Sequence, residues 1–240
     1  MHRVWVIFKR EIGYYFNSPV AYIYIDVFLI VMGIFFFTAY FMENQASMRM
    51  FFQLLPWMFL FFVPAVTMRL WTDERKSGTM EVIMTLPIKD WEVVLGKYLA
   101  SLVFLLITLL LSFPIALICY RTGLVPPDAG PIWGGYIGAI LMGGAYLAIG
   151  IYFSSLFDNQ IIALIMTIVF LAVLLLIEAD IFLYKLPPLV QPFFAFIGLG
   201  GHFESIGRGV VDIRDILYYA SLIFFFLFLT VRSVESRKWR

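Results

Sequence analysis

The sequence predicts an all-α polytopic membrane protein, and three observations support this fold class. Hydrophobic residues make up 62% of the 240 residues, charged residues make up only 14%, and the mean hydropathy is +0.94. A soluble domain has about 25% charged residues. Six apolar runs also approach the roughly 20 residues that a helix needs to cross a bilayer core of about 30 Å. We therefore expect a single membrane domain over residues 1–240.

Residues 1–18 are expected to form an amphipathic helix in the membrane interface. On a helical wheel Trp5 and Phe8 share a face with other apolar side chains, whereas Lys9 and Arg10 lie roughly opposite. The aromatic rings would lie at the acyl boundary and the cations would point toward lipid phosphates. The alternative is an irregular start to the first span.

The six apolar runs are expected to form transmembrane helices. They cover approximately residues 20–41, 51–70, 98–120, 132–156, 161–184 and 214–232. Asp26 in the first run is costly in lipid, so we expect it to face protein or to lie near the interface. The fourth run contains six glycines. Small residues let neighbouring helices approach closely, so this span is expected to lie at the centre of the bundle.

The placement of lysine and arginine predicts the orientation of these spans. With six spans, both termini lie on the same side as the loop between spans two and three. That side carries twelve of the seventeen Lys and Arg residues, and the other side carries five. Positive side chains accumulate on the cytoplasmic side of membrane proteins. We therefore expect both termini and the long loop to be cytoplasmic.

Residues 185–213, on the outer side before the last span, are apolar yet too interrupted by proline and glycine to cross the bilayer. The residues singled out in this segment are Pro187, Pro188, Gly201, His202, Phe203 and Glu204. Non-helical backbone at membrane depth persists only where protein or water satisfies its hydrogen bonds. We expect re-entrant or interfacial half-helices that cap the outer end of a pathway. An apolar loop on the membrane surface is the alternative.

The sequence offers no residue set for catalysis or for a resident cofactor. A net charge of +1 gives no electrostatic basis for nucleic-acid binding. One cysteine and two histidines on opposite predicted sides leave no zinc or haem ligand set. The sequence has no phosphate-binding loop of the form GxxxxGK[ST]. Glu178 and Asp180 come nearest to a carboxylate pair, and we interpret them as a helix end that faces water.

The longest polar stretch covers residues 69–97 and lies between the second and third apolar runs. It contains ten charged residues. We expect a short helix that carries Glu74, Arg75 and Glu81 and is stopped by Pro87. Such a helix would present charged and apolar side chains to a groove on a partner. A solvated loop is the simpler interpretation of a run of charges, and it stays open.

The same stretch resembles the cytoplasmic loop of ABC-2 type transporter permeases. That loop carries an E-R-x-x-G-T-x-E element, a Leu-Pro, and a Gly-Lys that leads into the third span. The corresponding residues are Glu74-Arg75-Lys76-Ser77-Gly78-Thr79-Met80-Glu81, Leu86-Pro87 and Gly96-Lys97. The tail of the chain is similar to the subgroup that includes the gliding-motility and nitrous-oxide-reductase-maturation permeases. Its matching residues are His202-Phe203-Glu204-Ser205-Ile206, Gly209-Val210-Val211-Asp212 and Leu217-Tyr218-Tyr219.

The resemblance implies a non-catalytic permease subunit of the bacterial cytoplasmic (inner) membrane. A second permease copy or a paralogue would complete the membrane part, and a dimer of cytoplasmic ABC ATPase subunits would bind ATP and Mg²⁺. This chain itself would hold no cofactor. The residues implied in coupling to the ATPase are Glu74, Arg75, Gly78, Thr79, Glu81, Leu86 and Pro87. The N-terminal interfacial helix would lie against the same partner.

Two other functions stay open at this point. A mechanotransmitting or assembly subunit would act on an extracytoplasmic auxiliary protein through residues 185–213 without moving a solute. A stand-alone secondary carrier would need ionisable residues at mid-bilayer and often an inverted repeat, and neither is evident. The substrate, the direction of transport and the choice between homodimer and heterodimer are left open by the sequence.

Overall fold

The computed structural model describes residues 2–43, 48–80, 88–122, 129–179, 187, 190–207 and 212–237. Within these residues all regular secondary structure is α-helical, which confirms the predicted fold class. The helices are α1 (His2–Phe16), α2 (Pro19–Glu43), α3 (Arg49–Thr67), α4 (Arg69–Lys76), α5 (Asp90–Thr122), α6 (Ala129–Leu156), α7 (Gln160–Leu176), α8 (Gln191–Ile197), α9 (Gly200–Gly207) and α10 (Ile213–Arg237).

Five stretches of helix among the described residues are long and apolar enough to cross a membrane. They are Pro19–Thr38, Arg49–Lys76, Asp90–Ile118, Gly130–Leu156 and Ile213–Ser236. The chain is therefore a multi-pass membrane protein. The predicted fifth span, 161–184, corresponds to α7, whose 17 residues extend only about 25 Å at 1.5 Å per residue. Residues 180–184 lie outside the described part, so the sixth crossing stays a prediction.

Helix α6 lies at the centre of the bundle, as its glycines predict. It packs against α3, α4, α5, α7, α9 and α10. The rings of Phe52 and Phe203 and the side chain of Leu105 reach its backbone at Gly135, Gly138 and Gly143 respectively. A Cβ atom at any of the three glycines would press against these side chains. These close approaches give the glycines a packing role.

Helix α1 packs across the beginning of α5 through a stripe of buried residues at every fourth position. The stripe consists of Ile7, Glu11 and Tyr15. Ile7 fits against the backbone of Gly96 in α5. Trp5 remains 55% exposed on another side of the helix. The helix is amphipathic as expected, but its packed face includes a carboxylate that the helical wheel had placed on neither face.

The polar stretch begins as an extension of the second span, in contrast to the separate loop helix that the sequence predicted. Helix α3 ends at Thr67, and α4 begins at Arg69 after a helical linking residue, Met68. The two helices together form one candidate span of 28 residues. Glu74 and Arg75 are therefore held at the end of a transmembrane helix. Asp26 lies on the exposed face of α2, so its predicted contact with protein is not observed in this chain.

Candidate functional site

Four charged residues from three helices meet where α1 crosses α4 and α5, and we call them the inner charged cluster. They are Arg10, Glu11, Glu74 and Lys97. Lys97 is only 1% exposed. Its Nζ donates to Glu11 Oε1 at 3.0 Å and to Glu74 Oε1 at 2.9 Å. A third bond, of 2.8 Å, goes to the carbonyl oxygen of Leu70.

Arg10 supplies the second cation of the inner charged cluster. Its Nη2 lies 2.8 Å from Glu11 Oε1 and also contacts Glu74 Oε1. Two cations therefore neutralise two carboxylates. Burying an ion is costly unless a partner compensates it, so the buried Glu11, Glu74 and Lys97 depend on one another, whereas Arg10 is half exposed. The cluster joins α1, α4 and α5 at one point.

The charges around Glu11 determine its ionisation. Burial by itself would raise the pKa of the Glu11 carboxyl. The attraction of Lys97 and the hydrogen bond and charge of Arg10 outweigh burial, and the pKa of Glu11 is lowered from its ordinary value of 4.5. Opposite charges within a few ångströms favour the ionised form of a carboxyl. Glu11 is therefore an anion throughout the neutral pH range.

Arg75, the neighbour of Glu74, ties α4 to the end of the central helix α6 and the turn that follows it. Its Nη1 donates to the carbonyl oxygen of Phe157 at 2.9 Å and to Asp158 Oδ1 at 2.7 Å, and its Nη2 contacts the carbonyl oxygen of Ser155. These groups form the end of α6 and the turn into α7. The last carbonyls of a helix lack intrahelical partners, and a guanidinium satisfies them well. Glu74 thus links α4 to α1 and α5, and Arg75 links it to the end of α6.

Aromatic rings lie against two of the cations at this crossing, Arg69 and Lys97. The Arg69 guanidinium lies between the rings of Tyr14 and Tyr15, with its Cζ 5.1 and 5.0 Å from their centroids. Lys97 Nζ lies 5.1 Å from the centroid of Trp71. A cation over the face of an aromatic ring is stabilised by the ring's quadrupole, the more so when both are desolvated. The aromatic side chains thus help to keep these cations inside the protein.

The helix end that follows Glu74 and Arg75 is exposed. Helix α4 ends at Lys76, and the backbone turns at Gly78, whose φ of +68° favours glycine. We call residues 76–79 the exposed turn, and Gly78 and Thr79 of the predicted coupling set lie in it. Three other residues of that set, Glu81, Leu86 and Pro87, lie outside the described residues.

A family model decides the class of this protein. The model named ABC-2 family transporter protein matches residues 42–230, which is well over half of the chain. The chain belongs to this family. A search of curated proteins gives no match. Family membership implies that the permease associates with an ATPase subunit.

The match begins after α1 and near the end of α2. Arg10 and Glu11 of the permease therefore join the inner charged cluster from outside the matched region. Sequence reasoning had placed Arg10 on the polar face of α1 and had given Glu11 no role. Two signals could have found the cluster, because a buried charge requires a partner: a glutamate with Ile7 and Tyr15 four residues away on the same helix face, and a lysine that enters an apolar span.

We call residues 185–213 the outer segment. At the other end of the permease, its two short helices, α8 and α9, are bonded to α10, and we call this contact the outer joint. His202 Nδ1 lies 2.6 Å from Asp215 Oδ1, and His202 Nε2 lies 3.0 Å from the carbonyl oxygen of Phe196. The hydroxyls of Tyr218 and Tyr219 donate to the carbonyl oxygens of Ile197 and Leu199. Helix α10 therefore holds the chain on both sides of the break between α8 and α9.

Glu178, just beyond α7, turns toward the outer segment instead of facing water as predicted. Its Oε2 accepts a hydrogen bond from the backbone N–H of Gly201 at 2.8 Å, at the beginning of α9. Burial raises the pKa of Glu178, and the N–H groups of Gly201 and Gly200 offset part of that effect. The glycines of this segment leave room for the carboxyl against their backbone.

The other predicted residues of the outer segment are divided between interior and surface. Phe203 is buried against α6, whereas Glu204 and Pro187 are exposed. Helix α8 has no buried residue. Pro188 lies outside the described residues. Among the residues that the structure describes, no group of three or more His, Cys, Asp or Glu side chains could hold a metal ion.

Proposed function

We propose that this ABC-2 protein is the permease subunit of an ATP-driven transporter and that the exposed turn receives motion from a separate ATPase subunit. The observation that carries this proposal is the opposite attachment of Glu74 and Arg75. Glu74 bonds to Lys97 of α5 and contacts Arg10 of α1, while Arg75 bonds to the end of α6 and the turn before α7. A displacement of the exposed turn would therefore reach α1 and α5 as well as the end of α6 and the turn before α7.

The burial of these contacts supports rigid transmission. Removing one partner of a buried ion pair costs about 3–5 kcal/mol, so the inner charged cluster should move as a unit rather than break under a small displacement. A partner can shift the bundle between states only through contacts that differ between the states. The exposed turn is suited to make such contacts because its side chains are not part of the cluster.

We propose six spans with both termini in the cytoplasm of a bacterial cell, and a second permease copy or paralogue as partner. In this arrangement the exposed turn and α1 share the cytoplasmic side with the ATPase dimer, which binds ATP and Mg²⁺. The outer segment then forms re-entrant half-helices on the opposite side. The similarity of the tail to the gliding-motility and nitrous-oxide-reductase-maturation subgroup stays part of this proposal.

The test is the ATPase activity that co-purifies with the permease from native membranes. Lys76→Glu reverses an exposed charge in the exposed turn without touching the inner charged cluster. We expect it to lower the recovered ATPase and the stimulation of its activity severalfold while thermal unfolding is unchanged. Glu81→Lys tests a second charged residue of the predicted coupling set. Glu74 is unsuitable for this purpose because its reversal would also disrupt a buried ion pair.

The matched control is Arg214→Glu, which makes the same charge change at an exposed position near the outer joint. It should leave both the recovery and the stimulation of the ATPase unchanged. If Lys76→Glu and Glu81→Lys both behave like this control, the coupling role of the exposed turn is wrong. If no ATPase accompanies the folded permease at all, the ATP-driven assignment fails with it.

A mechanotransmitting function is the second candidate, and α8 favours it. Phe193 and Phe196 of this helix are 62% and 57% exposed at the outer end of the protein. Exposed aromatic residues are typical anchors for a protein partner, and also for the membrane interface. Photo-crosslinking from position 193 in native membranes distinguishes the two: capture of an extracytoplasmic protein favours force transmission, and capture of lipid alone favours solute transport.

A further inference from the structure

Both ring nitrogens of His202 face oxygen atoms. A carbonyl oxygen only accepts hydrogen bonds, so Nε2, which lies 3.0 Å from the carbonyl of Phe196, must carry a proton. The 2.6 Å contact between Nδ1 and Asp215 Oδ1 requires another proton between the two atoms. So short a distance is typical of a charge-assisted bond. The arrangement is that of an imidazolium donating to a carboxylate, with one proton more than a neutral histidine beside an ionised aspartate.

The surroundings favour a cation at this position. The ring of Tyr218 is stacked on the imidazole with 4.0 Å between centroids and 20° between planes. An aromatic face attracts a cation. Asp215 is buried, and its Oδ2 has no hydrogen-bond partner among the described residues. Among the described residues, a neutral imidazole would leave this carboxylate as a buried charge without a hydrogen-bonded cation, which is unfavourable.

Among the described residues, other titratable groups at this end of the bundle come from every helix packed around α9. They are Asp215, Tyr218 and Tyr219 of α10, Glu204 of α9 itself, Glu178 beyond α7, Tyr146 of α6 and Arg49 of α3. Three carboxylates therefore accompany His202, and Glu178 is held next to it at the beginning of α9. Nearby negative charge stabilises a protonated imidazole.

We propose that His202 and Asp215 form a proton-binding site that keeps the outer joint closed. The protonated ring bonds to the end of α8 through Phe196 and to the first turn of α10 through Asp215, while belonging to α9 itself. When the ring loses its proton, it can donate through only one nitrogen, so one of these two attachments is lost. The closed state binds one proton more than the open state, and its population falls as the pH on that face rises.

Access to a cysteine at position 203 tests this site in the full chain, in lipid nanodiscs. Phe203 of α9 is buried against α6 when the outer joint is closed, and Cys119→Ala removes the native thiol. The probe is a membrane-impermeant maleimide, and its rate is divided by that of the unfolded chain at the same pH. In Phe203→Cys we expect the ratio to rise between about pH 6 and about pH 9, by at most about tenfold for each pH unit, the limit for release of one proton.

Asp215→Asn is the decisive variant. An amide donates its own N–H to a neutral Nδ1, so the contact to α10 no longer needs the extra proton. Labelling at position 203 should then be independent of pH. Asp212→Asn removes the same charge from a residue that bonds to the backbone N–H of Arg214, and it should keep the pH dependence. Two results would overturn the proposal. One is a labelling ratio that does not change with pH in Phe203→Cys with both Asp212 and Asp215 intact, and the other is an unchanged pH dependence in Asp215→Asn.

Nitrogen NMR of the imidazole rings gives a second measurement that does not require the cysteine. The chain has two histidines, so His2→Gln leaves His202 as the only source of signal. We expect both ring nitrogens to carry protons at about pH 6 and one of them at about pH 9. A single neutral tautomer at both pH values would contradict the site even if Phe203→Cys fails to fold.

Discussion

Two glutamates at opposite ends of the protein are buried in different ways. Glu11, at the inner end, is held by Lys97 and Arg10, and its pKa is lowered. Glu178, at the outer end, is held mainly by backbone N–H groups of Gly201 and Gly200, and its pKa is raised by burial. Ion pairs thus hold the first carboxylate, and peptide N–H groups hold the second.

This difference indicates different mechanical roles for the two ends. The inner charged cluster is held by ion pairs between buried side chains of three helices, as expected for an element that transmits force. The outer end relies on backbone N–H groups and on His202, the residue type whose charge changes most readily near neutral pH. The permease therefore combines a fixed connection on one side with a connection that one proton can release on the other.

The largest effect is expected when the ion pairs of the inner charged cluster are broken. Lys97→Met leaves Glu11 and Glu74 with Arg10 alone, and should lower the free energy of unfolding by about 3–5 kcal/mol. The measurement is thermal or denaturant unfolding of the permease in a mild detergent. Lys89→Met, at an exposed position one residue before α5, is the control and should change it by less than about 0.5 kcal/mol. Equal stability of the two variants would mean that the inner charged cluster does not hold α1 to the bundle.

An intermediate effect is expected where the outer segment approaches Glu178. A Cβ atom at Gly198 would lie 2.5 Å from Cβ of Glu178, and neither atom can move without its backbone. Gly198→Ala should therefore destabilise the outer joint by roughly 1–3 kcal/mol, the usual range for overpacking. Hydrogen exchange of α8 and α9 measures this locally.

Gly207→Ala is the matched control, since a Cβ atom there meets nothing within 4 Å. It should leave the exchange of α8 and α9 close to that of the unmodified chain. Exchange that is equally fast in both alanine variants would show that helix propensity, and not the contact with Glu178, governs this segment.

The smallest effect is expected at Glu178, and its sign is opposite to that expected at Glu11. The folded protein binds the Glu11 proton less tightly than the unfolded chain does. Ionised Glu11 therefore stabilises the folded protein above about pH 4.5, and this stabilisation is lost as the pH falls. Glu178 behaves in the opposite sense, because its raised pKa means that ionisation opposes folding as the pH rises above 4.5. At pH 7, Glu178→Gln should stabilise by less than about 1 kcal/mol, whereas Glu11→Gln should destabilise.

Unfolding measured from about pH 4 to about pH 8 tests this opposition directly. Glu11→Gln should flatten the acid side of the stability profile, and Glu178→Gln should not. Two profiles shifted in the same direction would mean that the two carboxylates share one kind of environment, against the geometry of their contacts.

The sequence by itself determined the class of the fold and the position of its most central helix. Apolar runs of about 20 residues must become helices in a bilayer, because lipid offers no partner for the backbone. The glycines of α6 likewise predicted close packing, since they are a local property of one helix. The motif that contains the exposed turn was recognised from sequence because its residues are contiguous, but the sequence predicted a separate helix there.

Which charges meet depends on the packing of the folded chain. Glu11 and Lys97 are 86 residues apart, and they pair because Ile7 packs on Gly96 and brings α1 across α5. The same is true of His202, whose second proton follows from two oxygen atoms that other helices supply. A sequence shows that a charge is present, but the packing of distant segments determines whether it is solvated, paired or protonated.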